Sequence, residues 1–303
     1  MLSRGKVTPL TVSYYTDEVA AGLEDYYAGR GEAVGHWVAS GSAAAGLAGE
    51  VSAQQLARLF DAVHPDTGEA LGARYRVRAG ADRVTGWDLT FSAPKSLSAL
   101  WALGGGEVGM AAREAHDAAV AAGLAYLEEH AAFSRQGKAG IRQVDTDGLV
   151  AAAFVHRTSR AEDPQLHTHV LVSGRVRCED GVWRALDSWA LHRELKSAGM
   201  VYQAALRAET TARLGVSWGP VDRHGQADIA GVPEALISRY SKRARAVEAE
   251  AKARVAELEA RLGRGLTAPE RQRTYERAVL ATRNPKAHRS AQPELSDQGL
   301  HDR

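Results

Sequence analysis

Apolar and polar residues alternate along several short stretches of the chain, a pattern typical of strands with one buried face. The clearest alternation is in 86–92, and two further strands are predicted over 149–156 and 165–172 from their apolar and β-branched content. Elsewhere apolar residues recur every three or four positions, which predicts helices over 94–102, 109–130 and 188–214 and again from Pro233 onward. Strands grouped with helices on one side predict an α+β fold with an antiparallel sheet.

Local signals refine this outline. Thr8-Pro9 pairs a good helix N-cap with a residue suited to the first helical position, so a short helix is expected there, with Tyr14 near its end. The turn at 179–181 is expected to join the 165–172 strand to a partner at 182–186 as a hairpin. A further strand is expected over 73–79.

Composition and cysteine count indicate a cellular setting. The 303 residues are 45% hydrophobic, enough for one large domain with an appendage. Cys178 is the chain's one cysteine, so no internal disulfide forms and a reducing compartment is expected. No apolar run approaches the roughly 20 residues that span a bilayer, and the start lacks a signal-peptide pattern. We therefore expect a cytoplasmic protein, and its alanine, glycine and arginine content suits an actinobacterial genome.

Three of the eleven histidines are distinguished by their spacing. His167 and His169 lie two apart in an expected strand, so their imidazoles share one face and can bind one ion. If the 149–156 strand pairs beside it, His156 supplies a third neutral nitrogen and leaves coordination positions open, as a catalytic site requires. The alternative is that these are ordinary strand histidines. The H-x-H spacing also occurs in cupins and other non-haem metal sites, so it does not by itself name the reaction.

The residues around these histidines resemble a known family. The segments 156–160 (His-Arg-Thr-Ser-Arg) and 163–169 (Asp-Pro-Gln-Leu-His-Thr-His) resemble the histidine motif of conjugative relaxases of the TrwC/TraI (MobF) type, a branch of the HUH endonucleases. The segment 88–96 (Asp-Leu-Thr-Phe-Ser-Ala-Pro-Lys-Ser) resembles that family's motif around its active-site aspartate. Met1-Leu2-Ser3 and the doublets Tyr14-Tyr15 and Tyr26-Tyr27 resemble its N-terminus. The resemblance covers roughly 1–241, with the motifs in the family's order.

The resemblance implies a fold and a chemistry. The fold is a ferredoxin-like HUH palm with a helical carboxyl-terminal lid. His156, His167 and His169 would hold a divalent metal ion such as Mg²⁺, Mn²⁺ or Zn²⁺. Tyr14 would attack single-stranded DNA at a transfer origin and form a 5′-phosphotyrosyl link, while Tyr26 would serve a second strand transfer; which tyrosine of each doublet reacts is left open. A phenol with a pKa of about 10 is a poor nucleophile at neutral pH, so it needs help from a base or from a positive charge such as the ion's.

Asp88 is the expected carboxylate of the site. It alternates with Thr90 and Ser92 on one strand face, opposite Leu89 and Phe91, so it can meet the histidines. There it can accept the spare N–H of a metal-bound imidazole or take the tyrosine proton. The first role is favoured because a carboxylate is a weak base for a phenol.

The formal net charge of +1 does not by itself indicate a nucleic-acid-binding protein. Local clusters of basic residues are more informative, since guanidinium and ammonium groups bind phosphates. The expected DNA contacts are Arg74, Arg76 and Arg78 on one strand face, together with Lys95, Arg157 and Arg160 inside the two motifs.

The expected domains are a relaxase palm over 1–232, helical fingers or a lid over 233–282 and a flexible tail over 283–303. The chain contains no G-x-x-x-x-G-K-[ST] segment, so it is either a stand-alone relaxase or one domain of a longer protein in which the family's frequent helicase lies elsewhere; the second alternative is favoured. The expected partners are single-stranded DNA with an adjacent hairpin, relaxosome proteins and type IV secretion components, with no membrane contact. Export into a recipient cell, covalently bound to DNA, would follow.

Three other interpretations stay open. An HUH replication initiator would share the histidines and the tyrosine but act at a plasmid or phage origin without transfer. A tri-histidine metal hydrolase or oxygenase would need no tyrosine. A hairpin-binding protein with an inactive site would retain DNA without metal-dependent nicking.

Overall fold

A computed structural model of the protein describes residues 1–14, 34–73, 83–159, 161 and 163–282. The chain divides into two compact units, Met1–Tyr240 and Ser241–Arg303. The expected domain boundary at 232 stays a prediction. Across the described ranges, none of the helices combines the length and the apolar character that crossing a bilayer demands.

The first unit is built on a six-stranded antiparallel sheet. The described strands are β1 (Leu2–Val7), β2 (Gly35–Val38), β3 (Glu50–Val51), β4 (Gly86–Ser92), β5 (Ser134–Gln136), β6 (Arg142–Val144), β7 (Ala151–Thr158), β8 (Pro164–Ser173), β9 (Arg175–Arg177) and β10 (Trp183–Ala185). The central sheet has the order β1-β4-β8-β7-β2-β3, and each neighbouring pair is antiparallel. The pairs β5–β6 and β9–β10 form two small sheets of their own.

Helices flank this sheet and continue beyond it. The described helices are α1 (Pro9–Tyr14), α2 (Ser40–Ala44), α3 (Ala53–Phe60), α4 (Lys95–Leu103), α5 (Gly105–Ala131), α6 (Ser188–Leu214), α7 (Glu234–Arg239), α8 (Lys242–Leu262) and α9 (Ala268–Ala281). The expected α+β class with an antiparallel sheet is confirmed.

The two faces of the central sheet carry different layers. On one face, which we call the helix face, side chains such as Leu89, Phe91 and Val170 form the main core with α5 and α6. On the opposite face a smaller apolar cluster joins α3 to Phe154 of β7 and Leu171 of β8. We call this second face the histidine face, because the three histidines of the predicted site also lie on it.

Small residues let α5 approach the sheet closely. Its buried side carries several alanines and Gly123. A Cβ at Gly123 would lie 2.8 Å from the ring of Phe91 and 3.3 Å from the Cβ of Tyr202, so a larger residue would force a shift. Within α5, the polar side chain on the buried side is His116, which is fully buried.

Several predicted elements occur with the expected bounds. β4 and α6 match their predicted ranges, and α1 begins at Pro9 and ends at Tyr14. The segment from Pro233 onward is helical in α7, α8 and α9. The predicted strand at 73–79 falls largely outside the described residues, as does the predicted tail at 283–303.

Two features of the sheet differ from the sequence expectation. The hairpin around 179–181 exists, but its strands are β9 and β10, so the prediction that the histidine strand itself pairs with 182–186 is wrong. β8 ends at Ser173, and the amide of Gly174 donates to the carbonyl of Thr85, which redirects the chain. β1 was not predicted, because its sequence, Leu-Ser-Arg-Gly-Lys-Val, shows no alternation of apolar and polar residues.

The described part of the second unit is a helical hairpin. α8 ends at Gly263, whose φ of 66° is the left-handed conformation that favours glycine. Thr267 begins α9 with a capping box in which Glu270 is the partner. Arg271 bridges to Glu259 across the turn at 2.5 Å. The predicted role of these helices as a lid stays a prediction.

Candidate metal centre

Strand pairing brings the three histidines together. β7 and β8 run antiparallel with His156 directly opposite His167, while His169 lies opposite Phe154. Directly paired residues of an antiparallel sheet share one face, with Cβ atoms about 5 Å apart. All three imidazoles therefore project from the histidine face, next to the apolar cluster that contains Phe154.

The three rings form a compact triangle. The ring centroids are 5.4 Å apart for His156 and His167, 5.0 Å for His156 and His169, and 5.2 Å for His167 and His169. One ligand nitrogen from each ring can be chosen so that all lie within 4.8 Å of one another. The prediction that the trio converges is confirmed in its geometry.

Asp88 sets the tautomer of His169. Its two carboxylate oxygens lie 2.9 Å and 3.0 Å from Nδ1 of His169, so this nitrogen donates its hydrogen to the carboxylate. The hydroxyl of Thr90 donates to the same carboxylate at 3.0 Å. With Nδ1 protonated, the lone pair of His169 is on Nε2, and the carboxylate increases the basicity of that nitrogen. Of the two roles expected for Asp88, this geometry matches the first.

His167 is oriented by the backbone. Its Nδ1 lies 2.8 Å from the carbonyl oxygen of Gln165 and donates to it, which again leaves Nε2 with the lone pair. Two residues along β8 thus use different acceptors, a carboxylate and a peptide carbonyl, to select the same tautomer. Sequence reasoning did not identify Thr90 or Gln165 in these roles.

The donor set fits a divalent cation. Three neutral imidazole nitrogens within reach of one point are the ligand set of open catalytic sites, and imidazole suits Zn, Cu, Ni and Fe. His156 and His167 are buried, and the side chain of His169 is 12% exposed, so the centre is shielded but reachable. The cluster therefore has the ligand composition that metal binding requires, and hydrogen bonds set the tautomers of His167 and His169 for it.

The start of β8 is fastened to the connection between β4 and α4. The amide of Ala93 donates to the carbonyl of Leu166, and the amide of Leu166 donates to the hydroxyl of Ser98. The ammonium of Lys95 donates to the carbonyl of Pro164 at 2.8 Å. Burial lowers the pKa of Lys95 to about 8, and the nearby carboxylate of Asp163 partly opposes that shift.

The pairing of β7 and β8 is irregular just beyond the histidines. His156 pairs with His167 and Thr158 pairs with Pro164. Between these two pairs β7 advances by two residues and β8 by three. The extra residue is a β-bulge, which bends a strand and re-aims its side chains. The carbonyl of Gln165, the acceptor for His167, lies within it.

The structure describes only some of the remaining predicted site residues. Tyr14 is the last residue of α1, and Val12 in the same helix packs against the apolar cluster on the histidine face. Arg157 follows His156 on β7 and is half-buried. The side chain of Tyr14 is not described, and the following predicted residues lie outside the described ranges: Tyr26, Arg74, Arg76, Arg78 and Arg160.

A three-histidine centre with open coordination positions, carried on an antiparallel sheet with a carboxylate behind one ring, defines a metal-dependent α+β protein. The chain belongs to the TrwC relaxase family, whose family model matches residues 10–299. The resemblance seen in the sequence is thereby confirmed, while an actinobacterial origin stays a prediction.

Two curated relatives are similar over most of this chain. The multifunctional conjugation protein TraI of Escherichia coli is 34% identical over 245 residues, which are 78% of this chain and 13% of that protein. TraI of Escherichia coli strain K12 is 32% identical over 240 residues, 76% of this chain and again 13% of the relative. The chain thus spans about an eighth of the length of these relatives.

Solved structures of TrwC share the fold. TrwC complexed with a 27-mer DNA comprising the recognition hairpin and the cleavage site has a TM-score of 0.74 and 29% identity, covering 94% of this chain and 91% of that one. Metal-bound TrwC in complex with oriT DNA has a TM-score of 0.73 and 31% identity, covering 94% and 92%. A copper-bound complex has a TM-score of 0.74 and 32% identity, with the same coverage. With the histidine cluster, these structures support a divalent metal cofactor.

Proposed function

We propose that this chain is the relaxase domain of a conjugation protein, which nicks single-stranded DNA at a transfer origin and rejoins it. The observation that carries the proposal is the convergence of His156, His167 and His169, with Asp88 hydrogen-bonded behind one ring. The relatives support the substrate, because TraI is a conjugation protein and TrwC has been solved with oriT DNA.

The proposed reaction is a transfer of a phosphodiester to tyrosine. The phenolic oxygen of Tyr14 forms a bond to phosphorus, and the bond from phosphorus to the 3′ oxygen breaks. The phenol gives up one proton and the leaving 3′ oxygen takes one up, so the step consumes no cofactor. A divalent cation, when bound, supplies positive charge that polarises the phosphate and offsets the charge developing on it. Attack by a 3′-hydroxyl on the phosphotyrosyl link reverses the reaction and rejoins the strand.

The chain's own residues prepare the centre for this step. Asp88 and the Gln165 carbonyl each accept an Nδ1–H, so in the neutral imidazoles of His169 and His167 the lone pair is on Nε2. A fixed tautomer needs no rearrangement when a ligand arrives, which favours tight and correctly oriented binding. We assign Asp88 this positioning role rather than that of general base.

The further assignments extend the same proposal. Tyr26 accepts a second strand while Tyr14 is occupied, and the helices after 232 act as a lid. The basic residues proposed to contact phosphates are Arg74, Arg76, Arg78, Lys95, Arg157 and Arg160. The DNA carries a hairpin beside the nick site, as the TrwC recognition hairpin suggests. Relaxosome and type IV secretion proteins are the expected partners, the helicase lies elsewhere in a longer protein, and the DNA-joined protein acts from the cytoplasm.

The decisive experiment is metal-dependent cleavage of single-stranded oligonucleotides from the element's own transfer origin. We expect a covalent adduct that mass mapping places on Tyr14, and loss of the adduct in Tyr14→Phe. Tyr26→Phe is the matched variant, which should still form the first adduct but fail in a second transfer. Cleavage by the double variant without any adduct would contradict the proposal and favour a metal hydrolase.

The same assay separates the other rivals. Adduct formation at a replication origin, with no dependence on a transfer origin, would identify a replication initiator. Binding of the hairpin oligonucleotide without nicking at any metal concentration would identify a binding protein with an inactive centre.

A further inference from the structure

A second polar cluster lies behind the metal centre, on the helix face of the sheet. Thr168, between the two histidines of the H-x-H segment, points away from them. Its hydroxyl lies 2.8 Å from Nε2 of His116 on α5. The other ring nitrogen of His116, Nδ1, lies 2.9 Å from the hydroxyl of Tyr202 on α6. One chain of hydrogen bonds thus links β8 to both covering helices.

This cluster is closed to solvent. His116 and Tyr202 are fully buried, and Thr168 is 2% exposed. Burial holds the pKa of His116 well below its usual range and raises that of Tyr202 well above it, so both are neutral near pH 7. A neutral imidazole has one N–H and one lone pair, and here each nitrogen has a matching hydroxyl partner. Both ring nitrogens of His116 are therefore satisfied in either of its neutral tautomers.

His116 lies in an apolar part of the core, where burying a polar side chain costs free energy that an apolar residue would not. Neighbouring buried positions of α5 are alanine, valine and leucine, and Phe91 meets the Tyr202 ring edge-on with centroids 5.3 Å apart. An apolar side chain in place of His116 would pack there without any hydrogen-bond requirement, whereas a polar group in such a core demands full satisfaction. What the hydrogen bonds add is direction, because they fix where Thr168 lies.

We infer that His116 is a positioning residue for the metal centre, acting through Thr168 to hold β8 so that the nitrogens of His167 and His169 converge. The inference deepens the proposed function and rests on it for its biological meaning, but its test needs only metal. Tyr202 serves the same purpose one step further back, by fixing the orientation of the His116 ring.

Amide variants of His116 dissect the chain of hydrogen bonds. In His116→Gln the amide nitrogen takes the place of Nε2 and keeps a donor for Thr168. In His116→Asn the amide nitrogen takes the place of Nδ1, so the contact with Tyr202 is kept and Thr168 is abandoned. Thr168→Val and Tyr202→Phe remove one hydroxyl each at nearly constant volume. Leu127→Ala, in the same helix and buried, is a control for lost packing.

The probe is Co²⁺, added to each metal-free protein without DNA and followed by calorimetry and by its visible absorption band. We expect His116→Asn and Thr168→Val to bind Co²⁺ about 10-fold more weakly and to change the band, the size seen when groups behind a metal ligand are removed. His116→Gln should restore affinity to within about 3-fold. Tyr202→Phe should fall between these limits, and Leu127→Ala should lower only the melting temperature.

Wild-type affinity and an unchanged band in both His116→Asn and Thr168→Val would overturn the inference and leave His116 a packing residue. If His116→Asn fails to fold, Thr168→Val decides alone. Failure of the proposed function gives a different result. If the variants bind Co²⁺ in the expected order of affinity but the wild-type protein forms no tyrosyl adduct, the relaxase assignment is refuted and this inference stands.

Discussion

The two faces of β8 have opposite tasks. On the histidine face, His167 and His169 have ligand nitrogens close enough to share one ion, and His169 keeps some access to solvent. On the helix face, Leu166 and Val170 are completely buried in the main core. Adjacent residues therefore serve different properties, cation binding on one side and folding stability on the other. Except at Thr168, which supports the two histidines from the helix face, the comparison predicts that each property can be removed with little change in the other.

Replacing a ligand should give the largest effect. In His169→Ala we expect metal-dependent nicking to fall by at least about 1,000-fold, because the charge next to the phosphate is lost. The metal-free protein should unfold with a free energy within about 1 kcal/mol of wild type. Oligonucleotide cleavage and chemical denaturation measure the two quantities.

A strand histidine away from the centre is the matched control for that variant. His36 on β2 belongs to the same sheet and is exposed, so His36→Ala should nick normally. An equal loss of nicking in both variants would show that histidine replacement acts through the sheet rather than through the centre.

A substitution on the helix face should have the opposite effect, lowering folding stability while leaving metal affinity almost unchanged. Leu166→Ala should destabilise the protein by about 3 kcal/mol, because it removes a fully buried side chain from the core. Metal affinity, measured well below the melting temperature, should change by less than about 3-fold. A loss of metal binding as large as that of His169→Ala would break the separation of the faces.

Removing the carboxylate behind His169 should weaken the centre without dismantling it. Asp88→Asn is expected to lower metal affinity by about 10-fold to 100-fold, since an uncharged amide supports the imidazole less well. Calorimetric titration with Zn²⁺ measures the change. The matched control is Glu50→Gln, which replaces an exposed acid on β3 of the same sheet and should leave metal affinity unaltered. An unchanged affinity there would show that the effect of Asp88→Asn comes from the contact with His169 and not from a general loss of negative charge.

The smallest expected effect is a pH dependence of stability at Lys95. Its pKa is about 8 in the folded protein against an ordinary 10.5, so the unfolded chain holds the proton between these values while the folded chain does not. Stability contributed at this position must therefore rise with pH across that window. Relative to Lys95→Met, the wild type should gain about 1 kcal/mol between pH 7 and 10, after allowance for partial exposure.

Denaturation at several pH values checks this prediction. Lys6→Met on β1, which removes an exposed lysine from the same sheet, is the matched control variant. A constant difference between wild type and Lys95→Met would mean that the ammonium of Lys95 stays fully charged throughout.

Sequence reasoning succeeded where periodicity and chemistry agreed. The alternation around His167 and Asp88 gave the correct faces, because period two is a property of any strand. α1 was predicted from its Thr8-Pro9 start signal and α6 from the periodicity of its apolar residues, whereas the Asp187 side chain that caps α6 was found only in the structure. Asp88 was placed near the histidines for the right physical reason.

Other parts depend on contacts between distant segments. β1 lacks alternation and becomes a strand because β4 offers it a partner, which local residues cannot reveal. Gln165 orients His167 with its carbonyl, and any residue type has a carbonyl. His116 did leave a signal, a lone titratable side chain within an apolar helix stripe. Its partners, Thr168 and Tyr202, could not be read without the fold.

Because of the bulge at the start of β8, the number of residues between Pro164 and His167 determines which face of the sheet the histidines occupy. If Pro164 kept its pairing with Thr158, deleting or adding one residue there would exchange the two faces along the rest of β8, turning the histidines toward α5 and leucine toward the ion. Adding or deleting two residues would return each side chain to its original face. An alignment of homologues should therefore show length variation gathering before Pro164 and after Ser173, with the interval itself constant or changed only in twos.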